Sequence, residues 1–527
     1  MQALGQQKPG ANPDLQCCLE GVSFDPQAYA ILETIRDARS LGTHSQVLLD
    51  LQTGPLSEEV PTYNTLSEIL CQRLHQAGFQ VLPSGQIADS FGSFSFLECA
   101  FGELVFRFQQ MWTLVVAARI AHRPSFAGFQ QVDVVDTRTD YRTFDGFDQG
   151  VLRKFLHGAL ITNDHVQHWS ESGVSACSQC GAPDSVGHRL WECPHSGSLR
   201  DSLPVECLQV LPTLPTVVSH HGWTLQSSLW LPWLRYLEEL PAVFPIPQVP
   251  PSGPIIDLFT DGSCLFPKDP CCRIAAFAVV HASPFSLDFE NTDFRPLVAQ
   301  PLSGVLQTAY RAELQAIVAA LAIAVQFHVW VRIWSDSASA IAAFQKHVCD
   351  AVPINPNSRH SDLLREMYRL TQELGSEKVA LLKVPAHQSS ELFPSDLDKW
   401  LITGNGAADS AANAANHSRG PAFWGLWEAH SRQVYENQWI ARIVRRHIVA
   451  VGRLWSVSQP GVRPSVPAAH GIPKPAKNMP KLEWEAPDGL ALHGPIGFSG
   501  LPVPLQLRNA TALGKLHVAR RHDFRTM

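Results

Sequence analysis

Four acidic side chains stand where carboxylates could do chemistry. Asp261 and Asp336 each follow an apolar run, Glu313 lies in an apolar stretch of helical spacing, and Asp409 lies in "GNGAADSAANAA". Clustered carboxylates repel one another unless cations lie between them, and ligand sets made only of oxygen favour Mg²⁺ or Mn²⁺. If the fold brings these four side chains together, the sequence predicts a divalent-metal site.

The elements that must position these acids alternate along the chain. From residue 255 to about residue 416, strand-like and helix-like segments follow one another, which is typical of an α/β layer fold. We expect Asp261 to end the first strand, Asp336 to close a second strand, and Asp409 to lie in the first turns of the last helix. Strand ends and helix starts are where open α/β sheets place ligand sites.

A simpler interpretation exists for each acid taken alone. Asp336 and Asp409 could be helix N-terminal acids that the helix dipole stabilises, each by a few tenths of a kcal/mol up to about 1 kcal/mol. Glu313 lies one turn before Ile317, near the buried stripe of a predicted helix that Thr308 could cap. For any single acid the simpler interpretation is favoured, but four acids with related placement favour a shared site.

Five short motifs in one order resemble type I ribonuclease H. They are "IDLFTDGSCL", "TAYRAELQAI", "IWSDSASAI", "LKVPAHQ" and "GNGAAD". The resemblance implies a ribonuclease H-like mixed five-stranded sheet flanked by helices. It also implies hydrolysis of the RNA strand of an RNA/DNA hybrid, which the enzyme distinguishes by its 2′-hydroxyl groups.

The resemblance also assigns roles to individual residues. It implies that the four acids hold two Mg²⁺ (or Mn²⁺) ions roughly 4 Å apart, as in other two-metal sites. His387, on a mobile loop, would assist proton transfer or product release. Ser263 would lie against the nucleic acid, and we expect Asn405 to orient the adjoining loop there and not to bind metal. The residues concerned are Asp261, Glu313, Asp336 and Asp409 for catalysis and metal binding, with His387, Ser263 and Asn405 beside them.

Two departures from the family pattern leave an alternative open. The segment "FPKDPCCRIAAFAVV" has no glycine where the family usually has a glycine-rich turn, and residues 253–417 carry 12 basic against 17 acidic side chains. An inactive nucleic-acid-binding remnant is therefore one alternative. An integrase or transposase is another, but those proteins usually carry glutamate on a late helix, whereas here Glu313 lies on the first predicted helix. The order of the acids favours ribonuclease H.

A second group of potential ligands lies upstream. The segment "CSQCGAPDSVGHRLWEC" has the spacing C-x2-C-x7-H-x4-C, and three thiolates with one imidazole complete a closed tetrahedral shell for structural Zn²⁺. Four unrelated residues are the alternative. With "FLHGALITNDHVQHW" before it, the segment resembles the C-terminal end of a non-LTR retrotransposon reverse transcriptase. The chain has no Asp-Asp pair, so polymerase chemistry is not expected. The predicted zinc ligands are Cys177, Cys180, His188 and Cys193.

Charge is distributed unevenly along the chain. Beyond residue 417 there are 15 Lys/Arg and 6 Asp/Glu, whereas the first 417 residues have 26 and 42. Such asymmetry is typical of a polyanion-binding extension, although a solvated tail is equally compatible. We expect Arg442, Arg445, Arg446 and Arg453 of a basic amphipathic helix to help hold the hybrid. A helix that docks with its arginines in solvent is the alternative.

Composition divides the 527 residues into six predicted regions and limits the protein class. Twelve cysteines in a long chain without an apolar N-terminal run favour a reducing intracellular compartment, nuclear or cytoplasmic. No apolar run near the predicted helices reaches the ~20 residues that a membrane span needs, so we expect no membrane partner. Protein partners cannot be named from the sequence. The predicted regions are a mainly helical reverse-transcriptase-derived region (1–150), a zinc-knuckle-like segment (151–200), a Pro-rich linker region (201–252), a ribonuclease H domain (253–417), a basic helix (418–456) and a disordered Pro/Gly-rich basic tail (457–527).

Overall fold

The structure is a computed structural model of the chain. It describes residues 74–457 with internal gaps, together with residues 490–491 and 506–507. The gaps are 76–77, 83–85, 90–91, 95–98, 121–122, 161, 164–174, 241–243, 248–252, 284, 286–292 and 386–394. The spacing of apolar residues also predicts helices over residues 26–39 and 65–76. The first of these, most of the second, and nearly all of the predicted tail lie outside the described residues.

The described elements are numbered in chain order. The strands are β1 (Gln80–Val81), β2 (Ile87–Ala88), β3 (Ser93–Phe94), β4 (Ile255–Leu265), β5 (Ile274–Ala282), β6 (Phe294–Pro301), β7 (Trp330–Ser335), β8 (Val379–Lys383), β9 (Leu490–Ala491) and β10 (Gln506–Leu507). The helices are α1 (Phe101–Ile120), α2 (Val134–Tyr141), α3 (Gly146–Leu156), α4 (Gly197–Asp201), α5 (Val205–Val210), α6 (Thr216–Ser219), α7 (Trp230–Glu239), α8 (Ala309–Phe327), α9 (Ala338–Phe344), α10 (Ser361–Leu374), α11 (Asp396–His417) and α12 (Pro421–Val457).

The described residues form two compact units. One, called the helical unit, consists of Val116–Ser227 and the chain from Arg432 onward. The other, called the sheet unit, consists of the described residues up to Val115 together with Ser228–Ser431. The predicted metal acids all belong to the sheet unit, and the predicted zinc ligands all belong to the helical unit.

A five-stranded mixed sheet forms the centre of the sheet unit. Its order is β6-β5-β4-β7-β8, with β4 antiparallel to β5 and parallel to β7. The parallel pairing ends at Thr260 opposite Ser335, whereas the antiparallel pairing continues to Leu265 opposite Ile274. The prediction that Asp261 ends its strand is therefore wrong. Asp261 lies within β4, one residue beyond the end of the parallel pairing.

Helices cover both faces of this sheet, which confirms the predicted ribonuclease H-like layer architecture. Side chains of a strand alternate between faces. On one face, Ile256 and Leu258 of β4 pack with the buried side of α8. On the other face, Phe259 packs with Trp400 and Ala408 of α11. By length and composition alone, helix α8 could cross a membrane. Its apolar side chains, however, belong to the core beneath the sheet.

The second acid of the first strand has a structural role. Asp257 is 2 % exposed and lies directly opposite Arg332 in the parallel ladder. The guanidinium group of Arg332 donates two hydrogen bonds to its carboxylate, at 2.8 and 2.6 Å, and Trp334 Nε1 donates a third at 2.8 Å. A buried carboxylate is stable when it is paired and fully hydrogen-bonded. Asp257 therefore fastens β4 to β7 within the parallel ladder, four residues before Asp261.

The segment that lacks the family's glycine-rich turn docks against the start of α12. The ring of Phe266 stacks on that of Trp427 with centroids 4.4 Å apart, and Trp427 Nε1 donates to the carbonyl of Cys272 at 2.8 Å. His430 Nε2 lies 3.0 Å from the carbonyl oxygen of Cys271. The packed core of the sheet unit therefore continues past residue 417, where the sequence predicted the domain to end.

Two predictions about connecting regions need correction. The sequence "SGQIADSFGSFSF" (84–96) breaks the helical spacing around it, which predicts a loop, but part of it forms β2 and β3, which pair in an antiparallel register. Within the predicted linker region 201–252, helices α5 to α7 are folded, and Trp223 and Trp233 are buried. The proline-based prediction failed there because the prolines lie at helix starts or between short helices, where proline is tolerated. The helix predicted over 418–456 is confirmed as α12.

Candidate active site

Three of the predicted metal acids meet beside the end of the parallel ladder. Asp261 of β4, Glu313 of α8 and Asp336 each offer a carboxylate oxygen, and these oxygens lie within 4.8 Å of one another. Asp336 follows β7 directly, and Ser337 caps α9 behind it by accepting from the backbone N–H of Ala340. Because β4 and β7 are parallel neighbours, the ends of their shared ladder bring Asp261 and Asp336 to one edge.

Gly262 brings Glu313 to the same place. A Cβ atom at Gly262 would lie 2.4 Å from the backbone nitrogen of Glu313 and 2.7 Å from the carbonyl carbon of Ala312, distances that side chains do not tolerate. Only glycine allows α8 to approach β4 this closely. Thr308 fixes the start of α8 by accepting from the backbone N–H of Arg311, as predicted from the sequence.

The carboxylates of this cluster resist ionising together. Burial, followed by the negative charges of Asp336 and Asp409, raises the pKa of Asp261 to about 7. Burial and the charges of Asp261 and Asp336 raise the pKa of Glu313 to about 10. A hydrogen bond between Asp261 and Glu313 favours ionised Asp261 and protonated Glu313. Without a cation, the pair therefore shares a proton near neutral pH.

The donor set of this cluster fits divalent cations. Glu313 Oε2 is buried and has no hydrogen-bond partner among the described residues. A buried polar atom without a partner is costly, and a bound cation removes that cost. Oxygen atoms from several carboxylates are the ligands that Mg²⁺ and Mn²⁺ prefer. Asp261, Glu313 and Asp336 are thus suited to hold such an ion.

Asp409 lies beside this cluster, on helix α11. The helix begins at Asp396, so Asp409 lies midway along it and not in its first turns as predicted. The helix extends through "GNG" because Gly404 packs against the ring of Phe259, where a Cβ would lie 2.4 Å from a ring atom. The helix-start interpretation of Asp409 is therefore wrong. Its charge contributes to the raised pKa of Asp261, so its carboxylate acts on the same site.

The remaining residues predicted for this site have different environments. Ser263 is buried, and its hydroxyl donates to Asn413 Oδ1 at 2.6 Å, so this group bonds within the protein. Asn405 is buried within α11 and belongs to no loop, and its Oδ1 has no partner among the described residues. His387 lies outside the described residues. The ammonium group of Lys383, at the end of β8, donates to the carbonyl of Asp336.

The predicted zinc ligands converge in the helical unit. One ligand atom from each of the four lies within 4.8 Å of the others. Cys177 Sγ and Cys193 Sγ are 3.9 Å apart, and Cys180 Sγ is 3.2 Å from His188 Nε2. The residues concerned are Cys177, Cys180, His188 and Cys193.

Backbone groups also contact the thiols of this cluster. The backbone N–H of Gln179 donates to Cys177 Sγ at 3.4 Å, and Ala176 bridges Pro183 across a short antiparallel turn. A backbone hydrogen bond from Ala182 lowers the pKa of Cys180. Burial raises the pKa of Cys193 to about 11. Thiolates are the metal-binding form, so a cation would stabilise the buried Cys193 in its ionised state.

Three arginines of the basic helix form ion pairs with aspartates of the helical unit. Arg445 is fully buried and donates to Asp140 Oδ2 at 2.6 Å. Arg442 pairs with Asp136 at 3.3 Å. Arg453 pairs with Asp148 at 2.6 Å. These ion pairs give the three arginines a structural role, in which they fasten α12 to α2 and α3. Arg442 and Arg453 are also exposed, and a role of the helix in holding the hybrid stays a prediction. Arg446 is exposed.

Sequence reasoning missed two residues of this site. Gly262 directly follows the residue predicted to end the strand, where a glycine suggests a turn, but it lies within β4 and is needed for the contact with α8. Asn413 donates from Nδ2 to Asp409 Oδ1 at 2.8 Å, and it was not singled out. Its spacing of four residues from Asp409, which places both on one side of a helix, was the available signal.

Comparison with known proteins identifies the class of the sheet-containing region. Residues 254–417 match the family model described as RNase H, nearly the range predicted for this domain. Similar solved structures include the PFV RNase H domain, with 19 % identity, 31 % of this chain and 94 % of that chain covered, and a TM-score of 0.25. Another is RNase H1 from the halophilic archaeon Halobacterium salinarum NRC-1, with 19 % identity, 31 % and 99 % coverage, and a TM-score of 0.21. The comparison with curated proteins gave no match.

The family match and the observed strand order agree. Residues 254–417 form an RNase H domain, and the family relationship supports a ribonuclease H function for it. The match covers less than half of the chain, so it describes this domain alone.

The raised pKa values predict how the metal-free protein responds to pH. Glu313 has an ordinary pKa of 4.5 and a folded-state pKa of about 10, so the folded state binds the proton more tightly. The stability linked to this proton is complete below the unfolded pKa and is lost as pH rises toward the folded pKa. In EDTA, the Glu313→Gln variant should therefore gain stability over wild type between pH 5 and pH 9, by on the order of 1–2 kcal/mol.

Urea unfolding at several pH values measures this difference. The exposed Glu377 provides a matched control, since Glu377→Gln makes the same chemical change outside the cluster. Stability curves for Glu313→Gln and wild type that stay parallel from pH 5 to pH 9 would contradict the electrostatic account.

The thiol and imidazole cluster predicts a bound zinc ion. Protein purified under reducing conditions without chelator should contain one zinc per chain by elemental analysis. Cys180→Ser should reduce that content, because serine is a poor zinc ligand and the exposed position limits packing effects. Cys349→Ser, at another exposed cysteine, should keep the zinc. Wild-type protein without zinc would refute the site.

Proposed function

We propose that the RNase H domain hydrolyses the RNA strand of RNA/DNA hybrids with two divalent cations. The observation that carries the proposal is the meeting of Asp261, Glu313 and Asp336 within 4.8 Å, with Asp409 acting on the same site. When bound, a pair of Mg²⁺ or Mn²⁺ ions would activate the attacking water and stabilise the leaving oxygen. The match of residues 254–417 to the RNase H family supports the proposal.

Each residue of the proposed site would have its own role. Asp261, the most buried of the four acids, would hold the cations together with Glu313 and Asp336, and its pKa responds to the charge of Asp409. Burial and the charges of Asp261 and Asp336 raise the pKa of Glu313, and a bound cation would favour its ionised form. Asp336 and Asp409, which are partly exposed, would complete the ligand set. His387 would assist proton transfer or product release.

An inactive remnant that only binds nucleic acid is the alternative candidate. The observation behind it concerns residues 266–273, the segment without the glycine-rich turn. This segment packs on α12 through Phe266 and Trp427, so these groups make contacts within the protein. The four acids, however, are all present, and a remnant has no need to keep like charges buried together. The structure of the acid cluster therefore favours catalysis.

The Cys3His cluster is proposed to hold structural Zn²⁺ in the helical unit. Four protein ligands leave no open position, which is the pattern of structural and not catalytic zinc. A knuckle of this kind upstream of an RNase H domain resembles the end of a non-LTR retrotransposon reverse transcriptase. We therefore propose that the chain derives from such an element, without polymerase activity of its own.

Cleavage of a labelled RNA/DNA hybrid tests the catalytic proposal. The full-length chain should cut the RNA strand with Mg²⁺ or Mn²⁺ and lose this activity in EDTA. Asp261→Asn should reduce the rate at least about a hundredfold, because a neutral amide does not bind the cations as a carboxylate does. Double-stranded DNA should not be cut, since it lacks the 2′-hydroxyl.

The control is Asp350→Asn, which makes the same change at an exposed acid of the same domain. It should cleave at the wild-type rate. Full activity in Asp261→Asn would contradict the metal-site interpretation, and hybrid binding without cleavage in wild type would favour the inactive remnant.

A further inference from the structure

Asp409 is held by a chain of hydrogen bonds that begins on the strand of Asp261. Ser263 Oγ donates to Asn413 Oδ1 at 2.6 Å, and Asn413 Nδ2 donates to Asp409 Oδ1 at 2.8 Å. Ser263 is 7 % exposed, so its hydroxyl is a fixed anchor. Because Asn413 Oδ1 accepts from Ser263, its Nδ2 is the atom left to face the carboxylate.

The periods of strand and helix explain why these groups align. Asp261 and Ser263 are two residues apart on β4 and point to the same face. Asp409 and Asn413 are four residues apart on α11 and lie on the same side of that helix. Asp261 on the strand is therefore a neighbour of Asp409 on the helix. The next residues on the same faces, Ser263 and Asn413, are neighbours in the same way.

This arrangement opposes a specific force. Asp409 and Asp261 carry like charges close enough to raise the pKa of Asp261, so repulsion opposes the approach of the two carboxylates before a cation binds. Asp409 is also only half-buried, and packing alone does not fix its rotamer. A donor that holds one carboxylate oxygen restrains the side chain and leaves Oδ2 to a cation. Hydrogen bonds to an ionised acceptor are among the stronger ones in proteins.

We infer that Asn413 is a positioning residue for the proposed active site, which orients Asp409 for cation binding and is itself oriented by Ser263. The inference rests on the proposed function and extends it to residues that do not touch the substrate. Asn413 is not an acid and binds no cation in this account. It acts through Asp409 alone, and its loss should change cation affinity more than hybrid affinity.

A second asparagine of α11 separates this role from simple packing. Asn416 is fully buried and donates from Nδ2 to the backbone carbonyl of Ser263 at 3.3 Å. It ties the same helix to the same strand, but its hydrogen bond goes to the backbone of Ser263 and not to Asp409. Asn416→Ala is therefore the matched control for Asn413→Ala.

The test uses the full-length chain and two measurements. Mn²⁺ binding is measured by calorimetry, and the Mg²⁺ concentration for half-maximal hybrid cleavage is measured beside it. Asn413→Ala should weaken Mn²⁺ binding and raise the half-saturating Mg²⁺ concentration about tenfold, with the KM for hybrid unchanged. Asn416→Ala should lower the melting temperature and leave both cation constants at wild-type values.

Ser263→Ala should produce a smaller shift of the same kind, and the Ser263→Ala/Asn413→Ala double variant should equal Asn413→Ala alone, because both residues act through one chain of bonds. Wild-type cation constants in Asn413→Ala would overturn the inference, as would fully additive effects in the double variant. Mn²⁺ binding by a wild-type chain that cleaves no hybrid would refute the proposed function, and the inference would then be decided by the Mn²⁺ constants of the variants.

Discussion

The close approach of helix α8 to strand β4 at Gly262 is the constraint on which the site depends. The contact leaves no room for a Cβ atom, and it sets the backbone of Glu313 directly against the strand that carries Asp261. Both carboxylates are then largely removed from water, and burial raises the pKa of each. The charges of Asp336 and Asp409 raise the pKa of Asp261 further, and the charges of Asp261 and Asp336 raise that of Glu313. The fold thus maintains an unfavourable arrangement of charges whose natural counterpart is a divalent cation.

Other residues of the same elements stabilise the fold and are not part of the carboxylate cluster. Asp257, four residues before Asp261 on the same strand, is neutralised by Arg332 and belongs to the framework. One strand therefore carries one acid that an arginine neutralises and one acid, Asp261, for which we propose a cation as partner. The difference follows from position: Asp257 lies inside the parallel ladder opposite an arginine, whereas Asp261 lies just beyond the end of that ladder.

Sequence reasoning predicted the sheet, its layers and the participating acids because those features rest on local patterns. The alternation of strands and helices and the helix cap at Thr308 are each encoded within a few residues. Features that depend on residues distant in sequence were not predicted. The partners of Arg445 and Arg453, Asp140 and Asp148, lie about 300 residues earlier in the chain. No local pattern distinguishes such paired arginines from a phosphate-binding face.

The glycines of the site also show that a local pattern does not reveal contacts with distant elements. Gly262 and the glycines of "GNG" are signals for turns, yet they lie within a strand and a helix, and Gly262 and Gly404 are needed for close packing. A glycine permits a turn and a close approach equally well, and only the neighbouring element decides between them. The positions of Asp261 and Asp409 within their elements were misjudged for this reason, although both acids were correctly singled out.

Anomalous diffraction from crystals of the full-length protein grown with Mn²⁺ tests the central claim most directly, because it locates the cations without relying on turnover. The account predicts Mn²⁺ peaks coordinated by Asp261, with Glu313, Asp336 and Asp409 as the other protein ligands, and loss of these peaks in Asp261→Asn crystals. Wild-type crystals that show no Mn²⁺ among these carboxylates would contradict it.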